Sequence, residues 1–414
     1  MSTAHPSSGV TRKAGIPQGL VMALTSFLPI LAIISLVPAV PSLIQHFGAV
    51  PHAQTLIPLM ITAPGLMIAL TASFAGWFAD RLGRRPLLLG ATLLYGVCGT
   101  VPLYVDSLLP IFVSRLGVGL SEAVVLTMAN TMLLDYFDMR GRRIWLTVQG
   151  VIGPILGTIV YALSGYLTGM VWNGAFWIYA SAFLLFIAMY IWMYEPTRQE
   201  RHADEPEIDD TVFPWGRMIG VMALTFVIAA LYYIYTINGG SAFHSLDGAS
   251  PERIGVMMSI ASLAVPIGAL IFGYISRLIS SAQVLGIVLL LVGAGMIGVG
   301  YSTDVVQMGV SAFVQQIGAG MAISAMIFWV STLFGPQHRG RVMGCWCSAF
   351  FAGMFVSPLF FSAVREMGGG DVLLPFRIFG PASVVIAVAL YLAGVGKTRQ
   401  MKAERQAATQ AAAH

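Results

Sequence analysis

The sequence predicts an all-α integral membrane protein, and its composition, the length of its apolar runs and the spacing of its charges support this. Hydrophobic residues make up 57% of the 414 residues and charged residues only 10%, against roughly 25% charged in an average soluble domain. A helix needs about 20 apolar residues to cross a bilayer. The apolar runs lack the alternation of a transmembrane barrel, so helices are the only way to satisfy their backbone in lipid.

The chain divides into twelve apolar segments of spanning length, separated by short polar turns. The predicted spans are, in order, 16–38, 55–78, 86–104, 109–133, 143–169, 172–194, 216–238, 253–276, 281–301, 304–333, 341–364 and 374–396.

The basic residues indicate which ends of these spans face the cytoplasm, because positively charged loops stay there. Of the 22 Lys and Arg residues, 18 lie before the first span, after an even-numbered span or in the tail; the exceptions are Arg115, Arg253, Arg365 and Arg377. We therefore expect an inner (plasma) membrane protein with both termini in the cytoplasm. The net charge of +4 follows from this asymmetry and gives no indication of nucleic-acid binding. No cleavable signal peptide is expected, since the first apolar run has full spanning length.

The three cysteines, Cys98, Cys345 and Cys347, all fall in apolar runs. Their number excludes a disulfide framework, and the two that are close in sequence do not have a standard zinc spacing. We expect buried thiols, no metal and no cofactor.

The chain is organised as two halves. An acidic linker at 195–215 separates a six-span unit at 16–194 from a second at 216–396, with a short N-terminus at 1–15 and a tail at 397–414. The linker's clustered carboxylates are typical of a solvated segment.

Internal similarity relates the two halves. Phe112–Gly119 in the fourth span aligns without gaps with Phe313–Gly320 in the tenth, and the Arg-Gly-Arg sequence at 140–142 matches that at 339–341. Gly76 also matches Gly273, and the aligned positions are 197 to 201 residues apart. This near-constant separation indicates that one six-span unit was duplicated.

Three motifs identify a family resemblance. The loop after the second span contains a glycine, an acid four residues later, then basic residues around another glycine: Gly76, Asp80, Arg81, Gly83, Arg84 and Arg85. The fourth span carries Arg115 and Gly119 in an Arg-x-x-x-Gly pattern. The fifth span carries Gly153, Pro154 and Gly157, which partly match a glycine-proline motif of exporters, although Thr158 replaces its last glycine.

Over essentially all twelve spans the chain resembles a major facilitator superfamily transporter. The resemblance implies two pseudo-symmetric six-helix bundles around a central cavity, and transport by alternating access. It also implies that the loop motif latches the halves together on the cytoplasmic side, with Asp80 facing the start of the eleventh span.

Within this expected latch, Gly76 permits close helix packing and Gly83 a tight reversal. Arg84 or Arg81 is expected to pair with Asp135 or Asp138 at the end of the fourth span. The alternative is that the basic cluster only fixes the topology.

One acid lies in the middle of a span. The other acidic residues fall at span ends, in loops or in the tail, whereas Glu122 lies within the fourth span. Buried carboxylates are the usual proton carriers of transporters, because burial favours the protonated form. Glu122 is therefore the leading candidate for proton coupling, and a structural role in helix packing is the alternative.

Arg115 lies seven residues before Glu122, on the same helical face but roughly 10 Å away along the axis. A direct ion pair is not expected, but a substrate or a chain of waters could bridge the two side chains. The alternative is that Arg115 binds backbone carbonyls of weakened helices.

Aromatic and weakly polar residues of the second half are candidates for the cavity lining. Tyr232, Tyr233, Tyr235 and Asn238 lie near the outer end of the seventh span, where Gly239 and Gly240 predict a break and an outer gate. Gln315, Gln316 and Trp329 of the tenth span, with Trp346, Phe350 and Phe351 of the eleventh, could stack on an aromatic cargo. The alternative for each is a packing or lipid-facing role.

The leading functional hypothesis is a monomeric, proton-coupled exporter of small lipophilic or amphipathic molecules. The first span contains no acid, which argues against a strongly cationic drug as cargo. A proton-coupled importer of an organic anion or nutrient is the alternative, with Arg115 holding the carboxylate, and a ligand sensor would share the fold. No enzyme is expected, since a single buried glutamate does not supply a catalytic cluster and no phosphate-binding loop occurs.

Overall fold

The computed structural model of the protein describes residues 14–195, 213–247, 249–334 and 338–411. Within these ranges, twelve helical segments are long and apolar enough to cross a membrane, so the predicted number of spans is confirmed. The first span, Ile16–His46, is interrupted. The others comprise Ala53–Leu82, Arg84–Thr100 with Val101–Leu103, Leu108–Tyr136, Met139–Met170, Gly174–Ala180 with Ser181–Trp192, Trp215–Asp247, Pro251–Ser262 with Ala264–Ile275, Ser281–Tyr301, Val305–Ser331, Arg339–Met367 and Leu374–Ala411.

Several helices are longer than predicted, because apolar length measures only the part of a helix that lies in hydrocarbon. The first span continues to His46 and the seventh to Asp247. The C-terminal ends of the even-numbered spans lie on one face of the molecule, and we call this the terminal face. The loops after odd-numbered spans form the opposite face.

The first span is broken at several points by its prolines, which lack an N–H donor. Its segments are Ile16–Thr25, Leu28–Ile34, Val37–Ala39 and Val40–His46. Near the second break the Leu36 amide donates to the Ile33 carbonyl, 3.1 Å away, and not to the Ala32 carbonyl four residues before it. The Tyr179 hydroxyl instead donates to Ala32, 2.7 Å away, and the Ser164 hydroxyl donates to the carbonyl of Ser35. The fifth and sixth spans thus satisfy carbonyls that the broken helix leaves free.

The seventh span is continuous, so the predicted break at Gly239 and Gly240 is wrong. A Cβ atom at Gly240 would lie 2.6 Å from the Val37 carbonyl oxygen of the first span. Here glycine allows two helices of different halves to approach closely.

Equivalent glycines of the two halves pack in the same way. A Cβ atom on Gly119 would lie 2.4 Å from the Pro64 carbonyl oxygen of the second span, and one on Gly320 would lie 2.0 Å from the Val265 carbonyl oxygen of the eighth. The fourth span therefore packs on the second as the tenth packs on the eighth, as a duplicated unit requires.

The halves meet mainly through two helix pairs, the second span with the eleventh and the fifth with the eighth, and the first span also contacts the seventh and the eighth. Ser348 donates to the Ala69 carbonyl, 2.9 Å away, and the Thr158 and Ser262 hydroxyls are 2.8 Å apart. Nearer the opposite face, the Thr55 hydroxyl bonds that of Ser362. Thr55 and Ser362 lie near the opposite-face ends of their helices, and Thr158 and Ser262 near the middle of their spans, so the halves are joined from the middle of the membrane to the opposite face.

Candidate functional site

Glu122 lies at the middle of the fourth span, Leu108–Tyr136. It is 1% exposed. Its buried Oε1 atom has no hydrogen-bond partner among the residues that the structure describes. A lone buried carboxyl is costly unless it is protonated or bound, so Glu122 has the character of a functional group.

Three tyrosines surround this carboxyl closely enough to interact with it electrostatically: Tyr95, Tyr179 and Tyr233. Tyr95 donates to the Leu28 carbonyl of the first span, 2.9 Å away, as Tyr179 does to Ala32 of the same span. Tyr233 belongs to the seventh span, in the second half. Glu122 therefore lies where the broken first span and the second half come together.

Sequence reasoning missed Tyr95 and Tyr179. Each is a tyrosine within an otherwise apolar run, and a buried hydroxyl needs an acceptor. The prolines of the first span mark its breaks but not these acceptors, because the residues four positions after Leu28 and Ala32 both have an N–H.

Arg115 is fully buried and bonds the backbone of the third span. Its Nη2 atom donates to the carbonyls of Cys98 and Gly99, 2.9 and 3.1 Å away. Pro102 has no N–H to offer the Cys98 carbonyl four residues before it, so the guanidinium supplies the missing donor. The Tyr179 and Phe176 ring centroids lie 4.7 and 5.3 Å from the guanidinium carbon, in cation–π geometry.

The aromatic candidates of the seventh and eleventh spans form one chain of ring contacts. The Tyr233 ring centroid lies 5.7 Å from that of Phe350, and Phe350 stacks on Trp346 at 5.3 Å. Tyr232 and Phe351 add edge contacts to Tyr233 and Phe350. This series of ring contacts connects the surroundings of Glu122 with the eleventh span.

Two other candidates of the seventh span make different contacts. Tyr235 packs against Phe376 of the twelfth span, with ring centroids 6.5 Å apart. Asn238 donates to the Ile234 carbonyl of its own helix, 3.0 Å away.

The tenth-span candidates lie inside the second half. Gln315 is fully buried, and neither side-chain polar atom has a partner in the described part of the chain. It packs against the ninth span, where a Cβ atom on Gly295 would lie 2.4 Å from the Gln315 Cβ. Gln316 is buried and Trp329 partly buried.

The loop after the second span turns sharply at Gly83, whose φ of +86° favours glycine. Arg84 opens the next helix and pairs with Asp135 of the fourth span. This ion pair lies within the first half. The packing around Gly76 and the side chain of Asp80 lie outside what the structure describes, and Arg81 is exposed.

Glu195 adds a contact that the sequence did not predict. Its two carboxylate oxygens accept the backbone N–H groups of Arg84 and Arg85, each 2.8 Å away. The free amides of a helix N-terminus attract a carboxylate. The sequence signal was the helix start after Gly83, whereas Glu195 was assigned to the solvated linker.

The fifth-span motif contributes to the contact between the halves. Pro154 lies inside the helix Met139–Met170, and the Thr158 hydroxyl bonds the Pro154 carbonyl at 3.1 Å as well as Ser262. The Thr158 carbonyl accepts a hydrogen bond from Ser259. Gly157 lies near Ile34, whereas a Cβ atom on Gly153 would meet nothing within 4 Å. The residue that departs from the exporter motif thus joins the two halves.

Cys98, Cys345 and Cys347 are free thiols. Among the residues that the structure describes, no group of three or more His, Cys, Asp or Glu side chains could hold a metal ion.

The family model described as Major Facilitator Superfamily matches residues 22–246 and 218–413. The chain belongs to the major facilitator superfamily. Members of this superfamily are transporters, and this protein is a multi-pass membrane transporter with twelve spans.

Two relatives from Escherichia coli show the range of sequence similarity within the superfamily. The class E tetracycline resistance protein is 23% identical over 395 residues, covering 87% of this chain and 94% of its own. The inner membrane transport protein YnfM is 31% identical over 138 residues, 32% of each chain.

Solved superfamily structures show the same fold. A mutant form of the nucleoside transporter NupG superimposes with a TM-score of 0.72 at 16% identity, covering 91% of this chain and all of that one. The inward-open xylose transporter XylE from E. coli gives a TM-score of 0.70 at 14% identity, covering 90% and 94%.

Proposed function

We propose that this transporter moves a small organic molecule by alternating access, that protons drive it, and that Glu122 carries the proton. The observation behind the proposal is a fully buried carboxyl whose Oε1 has no partner in the described chain, at the meeting point of both halves. An ionised carboxylate in such surroundings costs several kcal/mol. Protonation removes that cost, so a change in surroundings changes whether Glu122 holds a proton.

The coupling follows from which elements surround the carboxyl. Tyr95 and Tyr179 belong to the first half and move with Glu122, whereas Tyr233 belongs to the second. When the halves rock against each other, the distance from Glu122 to Tyr233 changes, and so does the access of water. Proton binding and the conformation of the halves are thereby linked.

The sidedness of this cycle is part of the proposal. The excess of Lys and Arg on the terminal face favours a cytoplasmic location for that face, in the inner membrane. The conformation described above is then closed toward the outside. The six-span units at 16–194 and 216–396 act as the two moving bodies, with the segment at 195–215 as their linker. The loop motif with Gly76 and Asp80 is proposed to hold the cytoplasmic side closed when the halves rock the other way.

Lipophilic or amphipathic compounds are the proposed cargo, moved outward. The ring chain of Tyr233, Phe350 and Trp346 offers apolar faces beside Glu122, and such faces suit aromatic or amphipathic molecules. The likeness to a tetracycline resistance protein favours efflux.

Import of an organic anion is the alternative function, and it would need Arg115 to bind the carboxylate of the cargo. The Nη2 atom of Arg115 bonds two carbonyls of the third span. Its Nε and Nη1 atoms have no partner among the described residues, so they remain as donors for an anion.

Purified protein in liposomes loaded with a pH-sensitive dye tests this proposal. Lipophilic cations, neutral amphiphiles and aromatic acids are added in turn to wild type and to Glu122→Gln. We expect neutral or amphipathic compounds to move protons through the wild type only, in the direction of antiport. Equal proton signals in both proteins would contradict the role of Glu122, and a response to aromatic acids alone, in the direction of symport, would contradict efflux.

A further inference from the structure

A cleft of about 600 Å³ opens on the opposite face, away from Glu122, at the junction of the two halves. The first half contributes the end of the first span and the segment leading into the second, residues 48–55. The second half contributes Arg365, Glu366, Gly369 and Gly370 at the end of the eleventh span. The cleft has the volume of a small-molecule site.

Arg365 is the buried cation of this cleft. It is 8% exposed, and its buried Nε atom has no hydrogen-bond partner in the described part of the chain. Arg377, on the same face, differs because its guanidinium has hydrogen-bond acceptors. Its Nε donates to the Gly300 carbonyl at 2.6 Å and its Nη1 to Asp371 at 3.0 Å. A buried N–H donor without an acceptor is costly, so the Nε of Arg365 has unused capacity for an anion.

The first half supplies a second positive group. Ala53, Gln54 and Thr55 line the cleft and form the first turn of the helix Ala53–Leu82. The N-terminus of so long a helix carries a partial positive charge. The N–H groups of Ala53 and Thr55 already donate to the carbonyls of Val50 and His52, 3.2 and 2.9 Å away, so it is the helix dipole that attracts an anion here. The first turn contains no acidic residue that would offset this charge.

We propose that this cleft binds an oxyanion, such as a phosphate or carboxylate group, between Arg365 and the N-terminus of the second span. Two other titratable groups line the cleft, the exposed side chains of His52 and Glu366. Glu366 weakens the site by repulsion and keeps its affinity moderate. A free anion and the phosphate of a lipid headgroup present the same chemistry to these groups.

The position of the anion makes it a clamp between the halves. Arg365 belongs to the second half and the helix N-terminus to the first, and the Thr55–Ser362 hydrogen bond joins the halves beside the cleft. Opening the opposite face separates the two positive groups. An anion that binds both therefore favours the state closed on this face.

Cross-linking of the full-length protein in detergent tests the clamp. Thr55→Cys and Ser362→Cys are combined in a background in which Cys98, Cys345 and Cys347 are replaced by serine. Inorganic phosphate is titrated against chloride at constant ionic strength, and the disulfide yield and melting temperature are measured. We expect phosphate to raise both.

Variants assign the effect to the cleft. Arg365→Gln should abolish the phosphate response, whereas the matched control Arg377→Gln should keep it. Glu366→Gln should lower the phosphate concentration needed by about two- to fivefold, since it removes an exposed like charge. If Arg365→Gln does not fold, Arg365→Lys and Glu366→Gln decide, and an unchanged response in both would overturn the site.

Nanodiscs identify the source of the anion. A response to phosphate in detergent indicates a free anion, and stabilisation only in phosphatidylglycerol discs, absent in phosphatidylcholine discs, indicates a lipid phosphate. Either response supports the site if the Arg365→Gln variant no longer shows that response. No response to phosphate or phosphatidylglycerol, or equal responses in wild type and Arg365→Gln, would overturn it.

Discussion

Glu122 in the fourth span and Ile323 in the tenth occupy the same place in the internal repeat, yet their surroundings differ. Glu122 is 1% exposed and lies beside side chains from both halves, whereas Ile323 is 42% exposed. Arg115 and Gln316 are a second pair of equivalent positions that differ. Arg115 is charged and bonds the third span, whereas Gln316 carries no charge. The packing glycines Gly119 and Gly320 nevertheless make equivalent contacts. The two halves thus have the same architecture, and at these equivalent positions of the fourth and tenth spans the buried charges lie in the first half.

The largest effect on stability is expected from Arg115→Leu. The substitution leaves the Cys98 and Gly99 carbonyls without their donor in a dry environment, which costs about 3 kcal/mol. The melting temperature of the purified protein in detergent measures the loss. Gln316→Leu is the matched control in the tenth span and should change it much less. Equal losses would mean that Arg115 has no special structural role.

A smaller and more symmetric effect is expected at the packing glycines. Gly119→Val and Gly320→Val each force a side chain against backbone of the neighbouring span, at a cost of about 1–3 kcal/mol. Both variants should lower the melting temperature to a similar degree. A loss in only one of them would contradict the equivalence of the two packing sites.

The smallest effect is expected at the contact between the fifth and eighth spans. Thr158→Val removes the hydroxyl that bonds Ser262 while keeping the shape, at a cost of about 1 kcal/mol. The closed opposite face should then be less populated, so a Thr55→Cys, Ser362→Cys pair should cross-link to a lower yield. Ser348→Ala, at the other helix pair, tests whether the two contacts contribute alike. An unchanged yield in both variants would show that these hydrogen bonds do not hold the face closed.

The sequence predicted the features that depend on local pattern. Apolar length gave the twelve spans, and the repeat around Arg115 and Gln316 gave the equivalence of the halves. Gly83 was predicted as a tight reversal from its place in the loop motif after the second span, and the structure has a positive φ there.

Features that depend on distant contacts could not be read from the sequence. Nothing near Tyr179 in the sequence indicates that its hydroxyl reaches Ala32, or that Glu195 caps the helix after Gly83. The break expected at Gly239 and Gly240 was wrong for the same reason: Gly240 accommodates Val37 of the first span, which sequence pattern does not show.

The central claim is that Glu122 carries the proton and is not a packing residue, and exchange kinetics test it most directly. Liposomes containing wild type or Glu122→Gln are given the transported compound, and proton-driven accumulation is measured beside exchange of labelled for unlabelled compound without a pH gradient. We predict that Glu122→Gln loses accumulation but retains exchange, because the halves still rock while no proton is carried. Loss of both activities together with a lower melting temperature, or accumulation equal to wild type, would contradict the account.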